Sequence, residues 1–268
     1  GMIQPSPDTR IDGWDACSGY HYTDSLINGF TQNHLSGTGC ADYGDFLIMP
    51  TVGEQKINPQ CDSLQNRPFA SEFSHADEVA SPGYYSTLLK SYGIKAEITA
   101  ANRAAIYRFT YPETDDAGLI LDVDYSIQNQ NNTDMKVEIL GDSAIRAYKQ
   151  TKYWAFEQRL YMYARFSKPF TCTIVDDSIV GKKGDTQRRL KALLKFAGAS
   201  AGEQISVKVG ISAVDAQGAE NNLYAEIPAW DFDGIRANAK KAWNDYLATI
   251  DITTDDTTDK RIFYTALY

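Results

Sequence analysis

Little in this sequence is basic, and nothing in it is both long and apolar. Lys and Arg number 26 against 35 Asp and Glu, a formal net charge of −9. Such a surface repels phosphate backbones, which excludes general nucleic-acid binding. No apolar run approaches the roughly 18–20 residues needed to cross a bilayer as a helix, so no membrane span is expected. Cysteine is scarce: Cys17, Cys40, Cys61 and Cys172 are the four present, with no CxxC pair and no Cys/His zinc spacing. They permit three full disulfide connectivities or none, and a fold of this size does not depend on them. Internal repeats and low-complexity tracts are absent.

What is present suffices for a real core. Hydrophobic residues make up 43% of the 268 and aromatics 12%, which excludes disorder. From Gln4 to about Gly83 the chain is rich in Gly, Ser, Asp, Asn and Pro. One apolar run, Phe46-Leu47-Ile48-Met49, interrupts it and Pro50 closes it. This texture predicts loops and short strands that hold polar and aromatic groups at a surface.

From Tyr84 to about Ser212 apolar residues alternate with polar ones. The runs are Ile94/Ala96/Ile98, Ala105/Tyr107/Phe109, Leu119/Leu121/Val123/Tyr125, Leu160/Met162/Ala164/Phe166 and Ile205/Val207/Val209/Ile211. Period 2 is the signature of half-buried strands. Turn chemistry at Ala101–Arg103, Asp115–Gly118, Asn129–Asp134 and Gly181–Asp185 separates them. Many strands with few long helical patterns predict a mainly β chain, a large antiparallel sandwich. After Pro228 the period becomes helical: Ile235, Ala239, Ala242, Trp243, Tyr246 and Ile250 form one stripe, with Asp231 and Asp233 at its start. Asp251 to Asp259 reads as a linker, and Lys260 to Tyr268 as the opening of another helix whose apolar face has no cover. That predicts a longer natural chain.

Chemistry concentrates between Asp12 and Asp45. Trp14, Tyr20, His21, Tyr22, Asp24, Phe30, His34 and Ser36 sit there on a glycine-rich backbone. Flat rings stack on sugars, and His, Asp and Ser bind hydroxyls by directed hydrogen bonds. The mixture suits a carbohydrate; the same residues are equally those of a packed loop. Rival acid pairs lack that setting. Asp122/Asp124 share a strand face, Asp176/Asp177 sit at a strand end, and Asp231/Asp233 cap a helix. His75 reads as solvated in an acidic loop, and Lys182-Lys183 and Arg188-Arg189 as solvated hairpin ends. Asn131-Asn132-Thr133 is a formal sequon in a predicted turn.

The segments Gln4 to Thr9, Asp12 to Tyr22 and Gly29 to Gly44 closely resemble the amino-terminal domain of glycoside hydrolase family 92, inverting, calcium-dependent exo-α-mannosidases abundant in gut Bacteroidetes. The resemblance continues through Phe166 to Phe170, Val207 to Ser212, Ala219 to Leu223 with Glu226, Trp230 to Asp233, Trp243-Asn244 and Phe263 to Tyr268. It implies a β-supersandwich over 1–229, a linker helix and linker over 230–259, and the start of an (α/α)6 barrel over 260–268. The family's general-acid Glu, base-side Asp residues and calcium ligands lie in that barrel, so no catalytic residue, metal ligand or calcium site is expected in this chain. The expected function is one wall of the sugar pocket of an α-1,2-type mannosidase acting on mannose-containing glycans. The alternative is a free-standing carbohydrate-binding module. Expected substrate-binding residues are Trp14, Tyr20, His21, Asp24, His34, Ser36 and Asp42, with Trp14 as a platform on the leaving-group side. A Cys17–Cys40 bridge could fix the loop. The expected partner is the helical domain of the same chain, and the expected location is the periplasm or cell surface.

Overall fold

Each alternating run becomes a strand, except that the run from Leu119 stops at Asp122. Val123, Asp124 and Tyr125 lie beyond the strand, so Asp122 and Asp124 do not share a strand face. The computed structural model describes residues 2–35, 42–57, 66–129, 131–180 and 186–268. The early part supplies short strands, as its composition predicts: β1 (Ser6–Asp8), β2 (Leu26–Ile27), β3 (Gly29–Thr31), β4 (Leu47–Val52), β5 (Ser71–Glu72) and β6 (Val79–Ser81). Longer strands follow: β7 (Tyr84–Leu89), β8 (Ile94–Ala100), β9 (Ala104–Thr110), β10 (Ala117–Asp122), β11 (Asn131–Leu140), β12 (Ala144–Lys152), β13 (Gln158–Phe166), β14 (Phe170–Val180), β15 (Thr186–Phe196) and β16 (Gln204–Ser212).

Among the described residues they form a six-stranded sheet, β1-β3-β4-β10-β15-β14, and an eight-stranded sheet, β11-β12-β13-β16-β9-β8-β7-β6, with β2-β5 as a small third. All the pairings are antiparallel. The two large sheets share one core. Phe30 of β3 places its ring 6.5 Å from Tyr107 and 6.3 Å from Phe109 of β9, and Leu119, Leu194, Ile98 and Val209 are buried in the same cluster. Each such side chain contributes about 1.5–3 kcal/mol by leaving water. The predicted sandwich is the observed fold.

Two buried lysines cross this apolar interior. Lys149 Nζ lies 3.0 Å from Asp45 and donates to the Tyr125 carbonyl. Lys191 Nζ lies 2.6 Å from Asp122 and 3.1 Å from Asp124, with Arg67 3.5 Å from Asp122. Asp122 and Asp124 therefore belong to a structural ion cluster. Burial and the Asp122 charge together push the Asp124 carboxyl above its usual range.

Three helices end the chain. The sequence pattern missed α1 (Ala216–Glu226), because only Ala219 and Leu223 of its residues are buried. It packs on the outer face of the eight-stranded sheet above Gly210, where a Cβ would come within 2.3 Å of the Ala219 carbonyl oxygen. The predicted helix is α2 (Phe232–Leu247), with Asp231 accepting from Gly234 N–H at 2.9 Å as its cap. Asp233 instead pairs with Arg108 at 3.2 Å. Then α3 (Thr257–Leu267) starts three residues before Lys260, capped by Asp256, and buries none of its residues.

Other expectations are corrected. Asn131-Asn132-Thr133 opens β11 with a bulge after Asn132 and is no turn. Asp176 and Asp177 lie within β14, bound two-pronged by Arg188 and Arg189 of the adjacent strand, so these arginines are paired and not simply solvated. Lys182 and Lys183 lie outside the described residues.

Candidate carbohydrate cleft

Beyond β1 the chain folds back on itself. The Gly19 carbonyl accepts from the N–H groups of both Thr9 and Arg10, at 2.8 and 3.1 Å. Gly19 adopts φ +75°, and a Cβ there would meet Asp8 Oδ1 at 2.3 Å and His34 Nε2 at 2.7 Å, so only glycine fits. Within this fold-back, Trp14–Ala16 forms one 3-10 turn that leaves Trp14 75% exposed.

The cleft that Trp14 lines also holds a clamp. Arg10 donates from Nε to Asp24 Oδ2 at 3.1 Å and from Nη2 to Oδ1, and Thr9 donates its hydroxyl to the same carboxylate at 2.9 Å. Asp15 adds a contact to Arg10 at 3.6 Å. The planar fork and the carboxylate match in shape, so both groups are held rigidly. The cleft has a volume of about 470 Å³ and is lined by Thr9, Arg10, Asp12, Trp14, Asp24 and Asn66 among others. Fixed donors and acceptors beside a flat ring can hold a neutral polyol.

The expected residues divide into groups. Trp14 and Asp24 line the cleft. His21 flanks it: its N–H donates to the Thr9 hydroxyl at 2.8 Å, and its Nδ1 lies 2.9 Å from the Thr23 hydroxyl. Tyr20 points away, donating to Glu78 Oε2 at 3.0 Å beside Tyr85, which donates to Oε1 at 2.7 Å. Burial and the Glu78 charge raise the Tyr20 phenol above its ordinary range. Glu78 also meets His75 Nδ1 at 2.6 Å, and the His75 ring stacks on Tyr22 at 4.1 Å. His75 is thus a partner in a cluster, which corrects the solvated reading.

His34 and Asp42 face inward. Asp42 is 1% exposed and accepts from the N–H groups of Tyr43 and Ala155, both at 2.9 Å. His34 Nε2 lies 2.7 Å from the buried Asp8 Oδ1 and 2.9 Å from the Thr31 hydroxyl, and its Nδ1 is 3.2 Å from the Gln4 carbonyl. Ser36 lies outside the described residues, as does Cys40; Cys17 carries a free thiol. Arg10 and Thr9 went unnoticed in the sequence, although they directly follow and close the motif Gln4 to Thr9.

Burial opposes a charge on His34, but Asp8 outweighs it and the ring's pKa is raised. A raised imidazole stabilises the fold fully below its unfolded value and loses that stabilisation as pH rises through the folded value. Urea midpoints should therefore fall as pH climbs above about 6.5, and His34→Gln should flatten that fall. An equal slope in both proteins would contradict the pairing.

Among the described residues, no group of three or more His, Cys, Asp or Glu side chains is arranged to hold a metal ion. No helix is long and apolar enough to cross a membrane.

The family description "Glycosyl hydrolase family 92 N-terminal domain" matches residues 1–212, and the family 92 catalytic domain matches 218–268. A family 92 alpha-mannosidase from Bacteroides thetaiotaomicron superposes at TM-score 0.89 with 38% identity, covering 100% of this chain and 37% of that one. That enzyme has also been solved with mannoimidazole. A family 92 inverting mannosidase from Bacteroides thetaiotaomicron VPI-5482 superposes at 0.77 with 26% identity, covering 100% of this chain and 35% of that one. An uncharacterized secreted glycosidase of Arthroderma benhamiae is 26% identical over 299 residues, spanning 100% of this chain and 38% of its own. The chain therefore spans little more than a third of these relatives.

Proposed function

The chain belongs to glycosyl hydrolase family 92, and from that premise we propose that it is the sandwich part of an inverting exo-α-mannosidase, exported to the periplasm or cell surface. Terminal mannose, with an α-1,2 link as the preferred one, is the substrate. The Trp14–Asp24 cleft forms one wall of the sugar pocket, and the observation that carries this is the Arg10–Asp24 clamp and an exposed indole lining one cleft.

Inversion needs two carboxyl groups roughly 6.5–9.5 Å apart, one protonating the leaving oxygen and one activating water. Both Asp24 oxygens already accept hydrogen bonds, from Arg10 and Thr9. Asp15 is drawn to the same guanidinium. The acid, the base and the calcium ligands are assigned to the helical domain, and this wall orients the sugar. Each of its hydrogen bonds contributes about 0.5–1.5 kcal/mol to binding.

The test uses the full-length enzyme with α-1,2-, α-1,3- and α-1,6-linked mannobioses. The expected result is release of mannose first seen by NMR as the β anomer, fastest from the α-1,2 link and lost in chelator. Initial release of the α anomer, or no release at all, would contradict it.

A further inference from the structure

The hairpin joining β12 to β13 has a tip, residues 153–157, that family membership leaves unexplained. Tyr153, Trp154 and Phe156 face solvent there, Trp154 at 69% and Phe156 at 76% exposure. Single apolar residues on a surface are ordinary, but three aromatics within four positions make a patch. Two polar tethers fix the patch beside the cleft. Buried Asp42 accepts from Ala155 N–H at 2.9 Å. Gln128 accepts from the Tyr153 hydroxyl at 2.8 Å and donates to the Gly13 carbonyl at 3.2 Å, one residue before Trp14. Gln128 does this at φ +60°, a left-handed conformation uncommon outside glycine, with its own N–H on the Ile11 carbonyl at 2.6 Å. One side-chain amide thus joins the hairpin tip to the Trp14 turn.

We propose that the Tyr153–Trp154–Phe156 tip is a second carbohydrate platform, continuous with the Trp14 cleft, that stacks on the sugars behind the one released. This rests on the mannosidase reading. A buried contact with another domain fits less well, because the cores of such interfaces are depleted of charge. The tip is flanked by Lys152, whose Nζ sits 4.5 Å over the Phe156 ring, and by the Glu157–Arg159 pair. Rings edged by charged donors and acceptors match a ligand with apolar ring faces and a hydroxyl rim.

The full-length enzyme tests this by kcat/KM on an aryl α-mannoside and on a mannose-terminated oligosaccharide. In Trp154→Ala and Phe156→Ala the ratio of oligosaccharide to aryl substrate should fall about tenfold, mainly through KM. Gln128→Gly keeps the backbone conformation at no steric cost but removes the bridge, and should lower the same ratio less. An unchanged ratio in the aromatic variants overturns the platform, as does an equal fall on both substrates, the mark of a domain contact. Wild-type enzyme that cleaves neither substrate sinks the mannosidase reading and the platform with it; wild-type activity with unaltered variant ratios sinks the platform alone.

Discussion

Lys149→Met should destabilise the fold by about 3–5 kcal/mol, the usual cost of stranding one member of a buried ion pair. Both Lys149 and Asp45 are 1% exposed, and their charged atoms are 3.0 Å apart. Asp45 keeps its bonds from Asn33 Nδ2 at 2.9 Å and Gln158 Nε2 at 2.7 Å. Those neutral donors do not cancel a carboxylate's charge in an apolar interior. At this chain length the loss corresponds to a fall in Tm of about 6–20 °C, taking roughly 2–4 °C per kcal/mol. The double variant Lys149→Met/Asp45→Asn should recover most of it, because removing both charges removes the stranded one. Thermal unfolding of the two single variants and the double checks this, and a loss in Lys149→Met below about 1 kcal/mol would contradict the geometry. The pair also ties the segment around Asp45 to β12 of the eight-stranded sheet.

The strands were legible because alternation reports directly which residues face inward. Ile205/Val207/Val209/Ile211 became β16 with all four buried. Partners are another matter, since period 2 says nothing of what a buried charge meets. Gln158 reaches Asp45 across 113 positions, and Lys191 reaches Asp124 across 67. No local pattern foretells such pairs. The helix α1 was invisible for a different reason: two buried apolar positions in eleven residues make no stripe. At the cleft, composition picked out Trp14 and Asp24. It could not separate them from His34, which has the same chemistry but is turned by the Gly19 fold-back onto Asp8. Arg10 escaped notice because a lone arginine after a strand carries no signal until its acid, fourteen residues on, is folded against it.

The largest effect expected is the loss of catalysis when the sandwich stands alone. The acids lining the cleft include Asp12, Asp15 and Asp24. Asp15 and Asp24 both pair with the Arg10 guanidinium. A glycosidase stripped of its acid and base loses several orders of magnitude in rate, since each proton transfer alone contributes about 10²–10⁴. Fluorogenic α-mannoside turnover, measured for the 268-residue chain beside the longer enzyme at equal concentration, tests this most directly. Hydrolysis is expected from the longer enzyme, and none above buffer from the chain. Sustained turnover by the chain, abolished in Asp24→Asn, would contradict it and move the catalytic acids into the sandwich.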